Sequence, residues 1–384
     1  MRKRILVLSA SVGAGHLRAA QAVELALRQE APDALVQNVD VLTLTNAAFR
    51  KLYGQAYLEL VDQAPDVLGY MYEVLDRPRR PKSSRDRLRL LVQRLNLTKL
   101  ADLILEKPWD AIVNTHFLPA EIIARLKRKQ KLATPQVVVT TDFETHRMWV
   151  HSPVEHYTTA TEEGAEYLKH LGVTAPITVT GIPIHPLFSQ AKDRATCAKA
   201  HVPGFDSKTP TVLQLAGGFG VGPIQKIFEE ILSIERPIQL IAVAGKNAKV
   251  KTQLEAIKIP LRHKVKIVGF TTEIDELMTL ADVVVSKPGG LTTSETLARR
   301  AAMAVVNPIP GQESRNSDYL LENGAAIKIN NLATLGYKLG KLLGDEKRLE
   351  QLRAGARRIA KPQAAFDVAR LALRYADQKV KTGT

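Results

Sequence analysis

The chain has 384 residues, 45% hydrophobic and 24% charged, with a formal net charge of +15 and one cysteine, Cys197. That length carries two domains with sizeable cores, and the lone cysteine excludes both an internal disulfide framework and a multi-cysteine zinc site. The charge asks for an anionic partner, and with no run of about 18 apolar residues no helix is expected to span a membrane.

The opening "MRKRILVLSA" has a basic start but a short apolar run, so it reads as a first strand in a cytoplasmic protein rather than as a signal peptide. Ile5 to Leu8 is continuous enough for a buried parallel strand, and Leu17, Glu24, Leu25 and Leu27 follow at helical spacing. The joining loop holds Gly13 and Gly15, which let another molecule approach the backbone, and then His16. The histidine falls near the first helical turn, at the carboxyl edge of a sheet, where open α/β folds bind ligands. It is a candidate for acid–base chemistry; a capping or packing histidine is the competing reading.

Phe49 to Lys99 mixes Tyr53, Tyr57, Tyr70, Met71 and Tyr72 with a strongly basic segment. From Arg77 to Lys99 there are nine Lys/Arg against one acid, Asp86, and Leu88, Leu91, Val92 and Leu95 share a helical face. A basic amphipathic helix suits an anionic membrane surface, and equally a solvated face whose leucines enter the core. A second basic run, Arg125 to Lys131, follows. Nucleic acid is disfavoured, since aromatics are 5% of residues and no helix-turn-helix, finger or RNA-recognition signature is present.

Strand-like runs recur at Leu35 to Val41, Ala111 to Asn114, Gln136 to Thr140, Tyr157 to Ala160 and Ile177 to Thr180. Asp142 follows the fourth strand of the chain, again at a sheet edge. His146, His151 and His156 are evenly spaced by five, which does not stack on one helical face, so no metal site is expected there. After "TGIPIHPLF" the alternation restarts at Thr211 to Ala216, Gln239 to Ala244, Val265 to Val268, Val283 to Ser286 and Ala304 to Asn307. Alternating β and α patterns predict an α/β protein with two doubly wound parallel-sheet, Rossmann-like domains facing across a cleft. The expected boundaries are 1–182, with 363–384 packing back on it, and 183–362.

The second half carries two loops suited to phosphate. Gly217, Gly218, Gly220 and Gly222 precede a helix with Pro223 near its start, so backbone N–H groups and a helix N-terminus can face an anion. "SKPGGLTTSE" places Lys287 beside another such turn, with Thr292, Thr293 and Ser294 at the helix entrance. Glu295 is an acceptor when ionised and suits a ribose diol, or serves as a capping-box partner of Thr292. "PGQESRN" adds Gln312, Glu313 and Asn316 for further hydroxyls.

"GAGH", "GGFGVGPI", "SKPGGLTTSE" and "NPIPGQESRNSDYLLENGAA", with "TDFETHRMWVHSPVEHYTTATEE" between them, resemble the monogalactosyldiacylglycerol synthase and processive diacylglycerol glucosyltransferase family, relatives of the peptidoglycan N-acetylglucosaminyltransferase. The resemblance covers nearly the whole chain. It implies a GT-B fold, a UDP-sugar donor on the C-terminal domain, a diacylglycerol acceptor on the N-terminal one, and inversion without a metal or other cofactor. By position, Gly217, Gly218, Phe219, Gly220, Gly222 and Lys287, Pro288, Gly289, Gly290 with Thr292 would hold the diphosphate. Glu295 would bind ribose, Phe270 and Thr271 uracil, and Gln312 and Glu313 the transferred sugar. Gly13, Gly15, His146 and Trp149 fall on the acceptor side. The plant members' "GGGxG" and "AGPG" become "GGFG" and "KPGG" here, which places the chain nearer the bacterial branch.

Inverting transfer needs a base on the acceptor hydroxyl and stabilisation of the leaving diphosphate. His16 is expected to be that base or to orient the hydroxyl, with Asp142 as rival base or as the group that orients an imidazole. The expected product is a β-glucosyl- or β-galactosyldiacylglycerol, made at the cytoplasmic face of a membrane by a peripherally attached enzyme. The alternatives are transfer of N-acetylglucosamine to a polyprenyl-linked acceptor, nucleotide-sugar epimerisation, and a non-catalytic sensor of UDP-sugars.

Overall fold

Each apolar run becomes a parallel strand. The structure, a computed structural model, describes residues 2–11, 13–46, 98–216 and 222–382. The expected aromatic and basic segment, up to residue 97, and the glycine loop from Gly217 to Gly220 lie outside the described residues. The chain divides into two compact units: Met1–Pro186 with Pro310–Gln312 and Gln363–Thr384, and Leu187–Ile309 with Glu313–Pro362.

In the first unit β1 (Arg4–Ser9), β2 (Leu35–Asp40), β3 (Ala111–Asn114), β4 (Gln136–Val139), β5 (His156–Thr159) and β6 (Ile177–Val179) form one sheet in the order β2-β1-β3-β4-β5-β6. All its pairings are parallel. Helices α1 (Ala14–Glu30), α2 (Thr98–Glu106), α3 (Phe117–Arg128) and α4 (Glu162–His170) connect the strands. Successive side chains of a strand point to opposite faces, so Ile5 and Val7 enter one core with Val23 and Leu27, while Leu6 and Leu8 enter another with Leu100, Ile104 and Trp109. Both faces are covered, which is why β1 reads as an unbroken apolar run.

In the second unit β7 (Thr211–Leu215), β8 (Gln239–Val243), β9 (Lys264–Val268), β10 (Val283–Ser286), β11 (Ala302–Val306) and β12 (Ala326–Ile329) adopt the order β12-β11-β10-β7-β8-β9. The helices are α5 (Arg194–His201), α6 (Ile224–Leu232), α7 (Ala248–Glu255), α8 (Ile274–Leu280), α9 (Gly290–Ala298), α10 (Gln312–Glu322), α11 (Leu335–Leu343) and α12 (Glu346–Ile359). Two strand expectations need correction. β11 starts at Ala302, two residues earlier than its β-branched pattern suggested, because Ala302 and Met303 are buried as fully as the valines after them. β12 was not anticipated: it is a four-residue edge strand whose central residues are only partly buried, so its apolar signal is weak.

A last helix, α13 (Ala364–Thr382), packs on the first unit. Ala365, Val368, Ala369 and Ala372 lie against Ala22, Val23 and Ala26 of α1, small residues that let the two helices approach closely.

Both sheets reverse their order of growth once. β1 lies between β2 and β3, and β7 lies between β8 and β10. Connections that leave such neighbours for opposite sides open a crevice at the carboxyl ends of the strands, the usual binding position of open α/β sheets. The loops after β1 and β3, and those after β7 and β10, therefore meet in pairs.

Candidate functional site

At the first reversal the partners are His16 and Thr115. His16 is the third residue of α1, whose N-cap is Gly13 at φ 81°, a left-handed angle that glycine adopts without strain. Its Nδ1 lies 3.0 Å from the carbonyl oxygen of Thr115 and 2.8 Å from Oγ1 of Thr141. A carbonyl only accepts, so Nδ1 carries the proton and the neutral ring presents the lone pair at Nε2. The Thr115 hydroxyl in turn donates to the His16 carbonyl oxygen at 3.0 Å.

Burial holds the His16 imidazole below its ordinary pKa of 6.5, against the opposing pull of Asp142 and of the hydrogen bond to Thr115. The positive end of α1 favours the same neutral form. His116 packs edge-on against His16 with ring centroids 4.5 Å apart. It caps α3 by accepting the Leu118 N–H at its own Nδ1, and burial, with His16 and His146 nearby, keeps it well below 6.5.

Asp142 does not hydrogen-bond to His16. Its Oδ2 accepts from the Trp149 indole at 2.9 Å and lies 3.4 Å from His146 Nε2. Burial opposes its ionisation, but the His146 hydrogen bond, the charges of His146 and His16 and the Trp149 indole outweigh it and hold the carboxyl below 3.8. Such a carboxylate is a poor proton acceptor. The oxygens within hydrogen-bonding distance of the His16 ring are those of Thr115 and Thr141, whereas the imidazole that Asp142 faces is that of His146. Trp149 and His146, expected on the acceptor side, are 0% and 5% exposed, and both face Asp142. Beside Gly15 a Cβ would meet no atom within 4 Å, so the backbone there is open to approach.

At the second reversal the partners are Gly222 and Lys287. Gly222 has φ +121°, and a Cβ there would lie 3.5 Å from both Cε and Nζ of Lys287. The ammonium thus sits at the end of the glycine loop, just before α6 with Pro223 at its N-cap. Pro288 is clasped from behind: Asn316, 3% exposed, donates to its carbonyl oxygen at 2.8 Å. Asn316 therefore props the loop, where the sequence suggested that it faced a ligand. Glu313 accepts the Ile309 N–H at 2.8 Å, and a Cβ on Gly289 would lie 3.7 Å from its other oxygen. Burial raises the Glu313 carboxyl above 4.5, with Lys287 opposing.

Helix α9 starts after Gly289 as N-cap, which places Gly290 and Thr292 inside its first turn and Glu295, 2% exposed, one turn further along. Thr292 is not an N-cap, so the capping-box reading of Glu295 fails. Phe270 stands 62% exposed after β9, with the Lys246 ammonium 5.1 Å above its ring, and Thr271 caps the next turn by accepting the Glu273 N–H. Gln312 opens α10.

The three evenly spaced histidines do not converge. His146 faces Asp142, while His156 is held by Tyr375 and Thr178. The second basic run is partly engaged, with Lys127 paired to Glu155 at 2.6 Å and Arg128 bonded to the Ser152 carbonyl. Sequence reading missed Thr115, Thr141 and His116. "NTH" and "TTD", each ending a buried strand, are the only signal they leave.

The monogalactosyldiacylglycerol synthase family profile matches residues 16–184, starting at His16, and the profile of glycosyl transferases group 1 matches residues 221–359. A processive diacylglycerol beta-glucosyltransferase of Bacillus licheniformis is 29% identical over 355 residues, 91% of this chain and 89% of its own length. The enzyme of the same name from Bacillus subtilis is 28% identical over 355 residues, 91% and 90% of the two chains. Among solved structures, Acinetobacter baumannii MurG superimposes with a TM-score of 0.60 at 15% identity, covering 97% of this chain and 100% of its own. Anabaena HepE in complex with UDP-glucose gives 0.55 at 14% identity, covering 98% and 99%. These likenesses establish the GT-B fold.

Proposed function

We propose that this chain is a glycosyltransferase of the kind its profile matches and relatives are named for, and that it transfers glucose or galactose from a UDP-sugar to the free hydroxyl of diacylglycerol, yielding a β-glycosyldiacylglycerol. The observation that carries this reading is the likeness to diacylglycerol glucosyltransferases, which extends over 91% of the chain and so takes in both units.

The acceptor hydroxyl oxygen attacks the anomeric carbon from the face opposite UDP. As that bond forms, the bond to the diphosphate oxygen breaks, UDP leaves with the electron pair, and the hydroxyl proton passes to Nε2 of His16. Burial keeps this imidazole below its ordinary pKa, so it is neutral and able to accept a proton at neutral pH. Gly15 leaves room for the acceptor beside the histidine. On the donor unit, Lys287, the glycine loop ending at Gly222, and the amides of Gly289 and Gly290 at the start of α9 meet the growing diphosphate charge, so the reading needs no metal ion. Glu295 takes the ribose hydroxyls, Phe270 and Thr271 the uracil, and Gln312 and Glu313 the hydroxyls of the sugar. The net charge of +15 and the basic segment from Arg77 to Lys99 fit attachment to the cytoplasmic face of an anionic membrane.

The test supplies the purified protein with diacylglycerol in anionic vesicles and with UDP-glucose, UDP-galactose or UDP-N-acetylglucosamine separately, following UDP release and lipid product. A β-linked glycolipid from glucose or galactose is expected. Product only from UDP-N-acetylglucosamine, or none from any donor while UDP still binds, overturns the reading.

A further inference from the structure

We propose that Thr141, with Thr115, is a positioning residue: the two clamp His16 Nδ1 from the ends of neighbouring strands and thereby aim Nε2 at the acceptor hydroxyl. The proposal rests on the reading of His16 as the base.

Three adjacent strands build the clamp. β1, β3 and β4 lie side by side, with Leu8 opposite Asn114 and Asn114 opposite Val138. His16 follows the first of them, Thr115 the second and Thr141 the third. The Thr115 carbonyl alone would select the Nδ1–H tautomer, but a single hydrogen bond leaves the ring free to swing about it. Thr141 Oγ1, at 2.8 Å, supplies the second point that fixes the ring plane. Its β-branched side chain has few rotamers, and it is 9% exposed. Its neighbour Asp142 is tied to Trp149, which steadies the backbone that presents the hydroxyl. On the other side the Thr115 hydroxyl holds the His16 main chain.

The clamp acts more strongly after proton transfer than before. Once Nε2 takes the proton the ring is an imidazolium, and both oxygens at Nδ1 then accept from a charged donor. Behind metal-ligating histidines such partners matter by about 10–100-fold, and a loss at the lower end of that range is expected for this metal-free ring.

The test uses the full-length protein with Thr141→Val, which keeps the shape and removes the hydroxyl, and Thr141→Ser, which restores it. Nitrogen-15 spectra of histidine-labelled protein, with His16 assigned by its disappearance in His16→Ala, report tautomer and titration midpoint without reference to activity. His116, His146 and Asp142 also face this ring and are unchanged in both variants. Wild type is expected to carry the proton on Nδ1. Thr141→Val is expected to shift the His16 midpoint downward and to lower kcat by about tenfold with KM for the UDP-sugar unchanged, and Thr141→Ser is expected to reverse both. A wild-type proton on Nε2, or an unmoved midpoint in Thr141→Val, overturns the clamp. A midpoint that moves as expected while turnover does not upholds the clamp and overturns His16 as base.

Discussion

His16 and Thr115 hold one another twice: the imidazole Nδ1 donates to the Thr115 carbonyl oxygen at 3.0 Å, and the Thr115 hydroxyl donates to the His16 carbonyl oxygen at 3.0 Å. The reciprocal pair joins the first turn of α1 to the end of β3, residues 99 positions apart. It fixes which ring nitrogen is basic.

His16→Ala is expected to lower kcat by roughly 10²–10⁴-fold, the usual contribution of a positioned base, and to leave UDP affinity unchanged. Because the imidazole is held below 6.5, its basic form persists through neutral pH. Activity is lost only as pH falls through that lowered value. A pH–rate profile measured beside UDP titration by calorimetry checks both statements.

Asp142→Asn should cost stability at neutral pH. The native carboxylate accepts from Trp149 and His146, and hydrogen bonds to a charged group contribute about 1.5–3 kcal/mol. The folded pKa lies below 3.8, so this stabilisation is present above 3.8 and disappears as pH falls through the lower folded value. Urea unfolding of the variant at pH 7 and near pH 3 should show a deficit that shrinks in acid.

The fold should weaken as pH drops below 6.5. His16, His116 and His156 all have folded pKa values below the 6.5 of the unfolded chain. Between those values the unfolded state binds more protons, so stability rises with pH in that window and is lost as pH falls through it. His116→Asn keeps an N-cap for α3 and removes one titrating group. Thermal unfolding from pH 8 to pH 5 should show a flatter slope in that variant.

Lys287→Met should weaken UDP binding by about tenfold or more, the loss of one charge-assisted contact of about 1.5–3 kcal/mol. Gly222→Ala should weaken it as well while the charge stays, because alanine resists φ +121° and its Cβ would lie 3.5 Å from the lysine ammonium. UDP affinities of the two variants, measured by calorimetry, separate lost charge from a displaced loop.

The parallel strands were legible because buried strands are continuous apolar runs and the turns after them are rich in glycine. β12 was not, because an edge strand covered on few sides needs little apolar character. Lys287 was readable beside its glycines, and the structure sets it against Gly222. The partner of Trp149 was not legible: the structure buries this side chain completely and sets its indole N–H on Asp142, seven residues earlier in the chain.

From its residues alone the chain specified two doubly wound units, the loops that end their strands, and the residue types those loops present. Local patterning suffices for this, since a strand, a glycine turn and a helix start are all written within about 20 residues. Which loops meet was settled by strand order. His16 is 99 residues from Thr115 and 125 from Thr141, and they touch because β1, β3 and β4 are neighbours in one sheet. Strand order follows from how whole elements bury their faces against each other, a property of the packed unit that no short stretch contains.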